Sequence, residues 1–197
     1  MYKYIVFIWV FFSSFTVFSQ DKSKIHLVET DSTWRKETLF FPFPFAQDIP
    51  LTGEIDVRFT HGWAKQESPY FWSYAFAWNV DQNDYISSTD LEAYLVTYLG
   101  GLMNVVNRDK DFKVPETIAV MVPYETMGDK TKYKGKIRVY DAFFSKEVIL
   151  LHVEGETEKC ASGNGTQLFF KLSTQTSDHE VWDHLRTAHL VDGLCEK

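Results

Sequence analysis

The chain of 197 residues is 45% hydrophobic and 17% aromatic, and it carries a formal net charge of −7. This length suits one domain of ordinary size. A charged fraction of 24% without short repeats excludes wholesale disorder, collagen and coiled coil. A net negative chain is also poorly suited to coating phosphate backbones, so we expect no nucleic-acid partner.

The start of the chain has the pattern of a signal peptide. Lys3 gives a positive beginning, and residues 5–12 form an apolar run that is followed by small and polar residues. The run is shorter than the roughly 20 residues that cross a bilayer. We therefore predict a signal peptide over 1–19 cleaved before Gln20, and one globular domain over 20–197 that is exported, periplasmic or secreted, without a membrane span. An uncleaved anchor or a buried strand is the alternative.

Cys160 and Cys195 are the only two cysteines. In an oxidising compartment an even pair is typical of a disulfide, which here would join the C-terminal tail to an internal loop. A reactive thiol and a metal ligand are the alternatives, but no CxxC or Cys-His spacing supports either. Closing a loop of about 35 residues stabilises the fold by roughly 3–4 kcal/mol in the chain-entropy relation.

The first half of the mature chain reads as a polar lead-in and then strands. Residues 20–38 are mixed and polar, and we expect no regular element there. Proline alternates with phenylalanine over 40–45, which predicts an extended segment outside the sheet, either an aromatic docking surface or, as we favour, a lid over a sheet end. Residues 54–61 alternate as a half-buried strand whose wet face carries Glu54, Asp56, Arg58 and Thr60.

Residues 71–80 predict a strand without charges on either face, so both faces are expected to be covered. Its large aromatic residues share one face and could line a pocket for a lipid, a sugar or an aromatic ligand, with Trp63 and the Phe-Pro run near the rim. They could equally form the hydrophobic core, which we favour. The candidate ligand-binding residues are Trp63, Trp72, Tyr74, Phe76 and Trp78.

A helix is predicted next, since Thr89 and Glu92 form a capping-box pattern and leucines follow at helical spacing. Gly100-Gly101 indicates either its end or a tight packing contact. A last helix begins at Ser177, with Glu180 completing a second capping box, and ends at Gly193; its buried stripe is Val181, Trp182, Leu185 and Ala188.

Four strands lie between the helices, over 117–124, 133–143, 148–154 and 167–174, and turn-rich stretches separate them. Such short connections favour antiparallel neighbours. The pattern predicts an α+β fold, a mainly antiparallel β-sheet with two principal helices packed on it, and no doubly wound nucleotide fold.

Common catalytic motifs are absent from the sequence, including GxSxG, HExxH and Gly-rich phosphate loops. His152 and Glu154 would share one strand face, and with Asp141 they could serve a small hydrolase or isomerase as an acid-base group. A solvated strand face explains the His-Glu pair equally well, and Asp141 could simply anchor a loop by hydrogen bonds. We expect no metal and no cofactor, because these residues are too few for a ligand set.

Four cations line one face of the strand over 133–143 and its approach: Lys132, Lys134, Lys136 and Arg138. They could receive an anionic partner such as a polyanionic glycan. Lysines on an outer strand also discourage edge-to-edge aggregation, and we favour that reading.

The stretches ETLFFPFPFAQDI, RFTHGW, FWSYAFAW, DLEAYLVTYLGGL and YDAFF resemble a family of uncharacterised exported bacterial proteins, over most of the mature chain. The layout is also loosely similar to the PsbP/Mog1-type α/β/α sandwiches. The first resemblance implies no activity, and the second implies an antiparallel sheet with helices on both faces.

These observations favour an exported, non-enzymatic binding or protein-interaction module of the periplasm or cell envelope. Its expected partner is an unknown protein or a small apolar or aromatic ligand. The rival is the hydrolase or isomerase built on His152, Glu154 and Asp141, and a third class is a subunit that assembles through its sheet edge or the Phe-Pro segment.

Overall fold

The computed structural model describes residues 25–108, 110–161, 163 and 165–196 of the protein, and the predicted signal peptide lies outside them. These residues form two α-helices and nine β-strands, which confirms the α+β fold. The helices are α1 (Ser88–Asn107) and α2 (Val181–Thr187). The strands are β1 (Val28–Glu29), β2 (Arg35–Phe40), β3 (Gly53–Phe59), β4 (Tyr74–Val80), β5 (Ile118–Met127), β6 (Lys130–Tyr140), β7 (Val148–Lys159), β8 (Thr166–Ser173) and β9 (His189–Leu190).

Seven strands make one sheet in the order β2-β3-β4-β8-β7-β6-β5, and every neighbouring pair is antiparallel. β5, β6, β7 and β8 form a meander, as their short connections predict. β1 and β9 pair in a separate two-stranded ribbon. The expectation that 20–38 holds no regular element was wrong, because it includes β1 and the start of β2; β2 has an exposed, polar sequence that carries no clear alternation.

The first face of the sheet carries the large aromatic and aliphatic side chains, and α1 lies across it. The helix begins with a capping box, but the box is Ser87 with Asp90 and not Thr89 with Glu92. Gly101 lies inside the helix and does not end it. A glycine is needed there because the 41–46 segment packs directly on the helix, and a Cβ at this position would collide with the carbonyl oxygen of Phe45.

The second face is covered over β3, β4 and β8 by α2 and by the chain from Ile25 to Trp34. The predicted stripe of α2 is buried, but the helix begins four residues after Ser177, has no side-chain cap, and ends before Gly193. The predicted wet face of β3 is also wrong. Asp56 and Arg58 are buried there, and Asp56 accepts hydrogen bonds from Arg58 (2.7 Å) and from the amide of Leu27 (2.9 Å).

Cys160 and Cys195 form the predicted disulfide, with an S–S distance of 2.04 Å. It ties the loop after β7 to the short 3₁₀ turn Leu194–Glu196. Since α2 precedes this turn, the bond holds the C-terminal segment against the sheet.

Candidate ligand-binding site

A cavity of about 530 Å³ lies between the first face of the sheet and the second half of α1. The floor comes from β3 and β4, and two loops close one end. Arg35 and Glu37 of the edge strand β2 stand at its exposed side. The lining is almost entirely apolar or aromatic: Leu39, Phe45, Val57, Phe59, Trp63, Ala64, Trp72, Tyr74, Tyr98, Leu99, Leu102, Val106, Phe143 and Phe144.

The first closing loop runs from His61 to Trp72, between β3 and β4. Its ends are tied together because the amide of Trp72 donates to the carbonyl of Trp63 at 2.8 Å. The centroid of the Trp63 ring lies 4.2 Å from that of Phe59. The Trp63 ring also packs edge-on against Trp72, with 6.4 Å between the centroids of these two tryptophan rings. Trp72 adopts a left-handed φ of 54°, which a bulky residue adopts only under strain. That geometry turns the chain where β4 begins.

The second closing loop follows β6 and is built around the buried carboxylate of Asp141. Its oxygens accept from the amides of Phe143 and Phe144 at 3.0 Å each, and from both the amide and the hydroxyl of Ser145 at 2.8 Å. Burial opposes ionisation of this carboxyl, but these hydrogen bonds outweigh it and lower the pKa of Asp141. The charged group therefore fixes the two phenylalanines at the cavity end.

Two phenol groups supply polarity to the cavity, those of Tyr74 on β4 and Tyr98 on α1. Both residues line the cavity, and neither phenol hydroxyl makes a hydrogen bond to another described residue. Burial raises the pKa of Tyr74, with Tyr98 adding to it, and burial also raises the pKa of Tyr98, with the nearby Glu37 adding to it. Both phenols therefore stay protonated and can donate a hydrogen bond to a bound molecule.

Three of the five predicted ligand-binding residues line the cavity: Trp63, Trp72 and Tyr74. Phe76 and Trp78 continue the same face of β4 but lie in the core beyond the cavity, fully buried against Tyr98 and Phe170. The ladder is therefore mostly core, as favoured above, and opens onto a cavity at one end.

Sequence reasoning missed the contributions of α1 and of the loop after β6. Tyr98 and Leu102 had a helical period but no sign of facing a cavity. Phe143 was placed at the end of the strand predicted over 133–143, and Phe144 was assigned to no element. The one signal was Asp141 after a buried strand face, which suggested an anchor by hydrogen bonds but not that this anchor would position the two rings.

The alternative acid-base residues do not come together. Asp141 comes directly after β6, and its carboxylate accepts hydrogen bonds from its own loop, whereas His152 and Glu154 lie on the second face of the sheet. Glu154 is held by Arg186 of α2 at 2.8 Å. Burial and the neighbouring Lys136 lower the pKa of His152, against a small opposing effect of Asp178.

Within the described part of the chain, no group of three or more His, Cys, Asp or Glu side chains could hold a metal ion. Neither described helix is long and apolar enough to cross a membrane.

Comparison of the chain with protein-family models, with curated proteins and with solved structures finds no match. The likeness to PsbP/Mog1-type sandwiches stays a prediction.

Proposed function

We propose that the protein is an exported binding domain that holds a small, neutral, apolar ligand between α1 and the sheet. The observation that carries this proposal is the aromatic cavity with two unpartnered phenol hydroxyls. Its volume of about 530 Å³ falls within the usual range of small-molecule sites, which are mostly apolar with a few polar groups that orient the ligand.

The charges at the cavity favour a neutral ligand with a hydrogen-bond acceptor, such as a carbonyl or ether oxygen. The phenols of Tyr74 and Tyr98 are donors, so an acceptor on the ligand would satisfy them. Glu37 lies close enough to raise the pKa of Tyr98, and Arg35 stands at the same exposed side, so the opening has no net charge that would attract an anionic or a cationic headgroup. The Cys160–Cys195 disulfide supports export, because such bonds persist in oxidising compartments.

The test is binding of the neutral fluorophore N-phenylnaphthylamine to the mature protein, followed by energy transfer from tryptophan. We expect saturable binding, since Trp63 and Trp72 lie in the cavity wall. Val106→Trp should fill part of the cavity and weaken binding about tenfold.

The matched control is Val105→Trp, at the neighbouring helix position, which is 43% exposed and does not line the cavity. It should change the affinity less than twofold, and thermal melts should show both variants folded. Absence of saturable binding by the unmodified protein, or equal effects of the two substitutions, would refute the proposal.

A further inference from the structure

The second face of the sheet has an uncovered half, formed by β5, β6 and β7. Each of its cross-strand rows places an apolar residue of β5 beside a basic residue of β6, whereas the β7 residue differs from row to row: Ile118–Arg138–Leu150, Val120–Lys136–His152 and Val122–Lys134–Glu154. We call this surface the basic face. The valines and isoleucine of β5 are at least 50% exposed there, an uncommon condition for three successive outward positions of one strand.

We propose that the basic face docks an acidic, amphipathic helix of a partner protein. The first support is the layer geometry. α2 packs over β4 and β8, and helices in one layer lie about 8–10 Å apart. Strands are spaced about 4.8 Å apart, so a second helix beside α2 would lie above β6. A groove of about 500 Å³ already runs there, between Trp182 of α2 and Val120 of β5.

The second support is charge. Of the described residues, no carboxylate lies within 4.0 Å of the charged nitrogens of Lys134, Lys136 or Arg138. The acids beside them are already used, since Arg186 holds Glu154 at 2.8 Å and Lys132 holds Glu125 at 2.6 Å. A chain with a net charge of −7 thus keeps a local row of uncompensated cations, which carboxylates of a partner would complement.

The third support concerns the edge strand β5, whose middle is unsuited to strand addition. The amide of Met121 points away from β6 and donates to Glu92 of α1 at 2.8 Å. Pro123, two residues further on, has no N–H to offer in the same outward direction, and the ladder is irregular after it. A partner therefore gains little by adding a strand, and must lie across the face instead.

The same charges argue against a second copy of this chain, because two basic faces laid against each other would repel. The exposed residues of β5 from Ile118 to Tyr124 span roughly 20 Å, given the rise per residue along a β-strand. A helix of about 13 residues covers that length, so one short amphipathic helix fits the basic face.

The experiment is calorimetric titration of the mature protein with a synthetic helix of that length, carrying leucines on one face and flanking glutamates. A twin peptide has glutamine in place of every glutamate. We expect the acidic peptide to bind, and the glutamine twin to bind at least fivefold more weakly. The double variant Lys136→Glu with Arg138→Glu should weaken the acidic peptide about tenfold or more.

The control is Lys65→Glu with Lys113→Glu, which changes two exposed lysines elsewhere and alters the net charge equally. It should change affinity less than twofold. The proposal is overturned if the acidic peptide does not bind at millimolar concentration, or if both double variants weaken it equally. It is also overturned if vesicles of anionic phospholipid bind more tightly through the same two cations, because the surface would then be a membrane contact.

Discussion

The two faces of the sheet are built from the same strands, but they differ in how much of each is covered by other parts of the chain. On the first face, residues such as Phe76, Trp78 and Phe170 pack under α1, and the layer is continuous except at the cavity. On the second face, β3, β4 and β8 are covered by α2 and the N-terminal segment, while β5 to β7 are open. The covered part even buries the ion pair of Asp56 and Arg58.

Alternation along a strand therefore defines its two sides but not which of them is buried. Asp56 and Val120 both lie on the second face, yet the charged residue is fully buried and the valine is 52% exposed. A charged residue is buried and an apolar one exposed because the covering layer lies over β3 and does not extend to β5.

The largest difference in the free energy of unfolding is expected between alanine substitutions at Phe76, on the first face, and at Val120, on the open half of the second face. Phe76→Ala removes a ring with 0% exposure and should lower the free energy of unfolding by about 4 kcal/mol. Val120→Ala should change it by less than about 0.5 kcal/mol, since little packing is lost. Urea unfolding of both variants measures this, and similar effects would contradict the described difference between the faces.

A smaller but still large effect is expected at Asp56. Asp56→Ala leaves Arg58 buried without its carboxylate, and removes the acceptor for the amides of Leu27 and Val28. Breaking a buried pair in this way should cost about 3 kcal/mol. Asp48→Ala, at an exposed loop position, is the control and should be nearly neutral. If the two substitutions had equal effects on urea unfolding, Asp56 would not be the anchor of the N-terminal segment.

The smallest expected effect concerns Asp141, which fixes the loop at the cavity end. Because its folded-state pKa is lowered, it stabilises the fold above its unfolded pKa of about 3.9, and this contribution is lost as the pH falls below that value. Asp141→Asn should cost about 2 kcal/mol near pH 6 and progressively less in acid.

Urea unfolding of the Asp141→Asn variant and the unmodified protein across this pH range tests the expectation. A difference that stayed constant with pH would mean that the charge of Asp141 does not support the loop. The same series shows whether the aromatic end of the first face depends on this carboxylate.

Local sequence patterns predicted the secondary structure correctly where an element is determined by contacts between residues that are close in sequence. The strand over 71–80 and the four later strands were confirmed, although β7 continues five residues beyond its predicted end at 154. The buried stripe of α2 was confirmed as well. The start of α2 was misplaced because residues 176–180 form separate turns, in which the amide of His179 donates to the carbonyl of Thr176 before the helix begins. A capping-box pattern is too short to distinguish these cases.

The candidate site was only partly predictable for the same reason. Trp63, Trp72 and Tyr74 were identifiable as an aromatic cluster near the start of one strand. Tyr98 and Phe144 reach the same cavity from a helix and a loop far along the chain, and no pattern within either segment signals this. Contacts between distant segments depend on packing, which local periodicity does not encode.

Sequence patterns were enough to predict the α+β class, the antiparallel meander and the aromatic side of β4, and they favoured the pairing of the two cysteines. Each follows from a local period, a turn or a count of two. Packing between the layers explains why Asp56 is buried, why Val120 is exposed and why a cavity remains under α1. Those outcomes depend on where α1, α2 and the N-terminal segment lie on the sheet, because a side chain is buried only when another layer covers it.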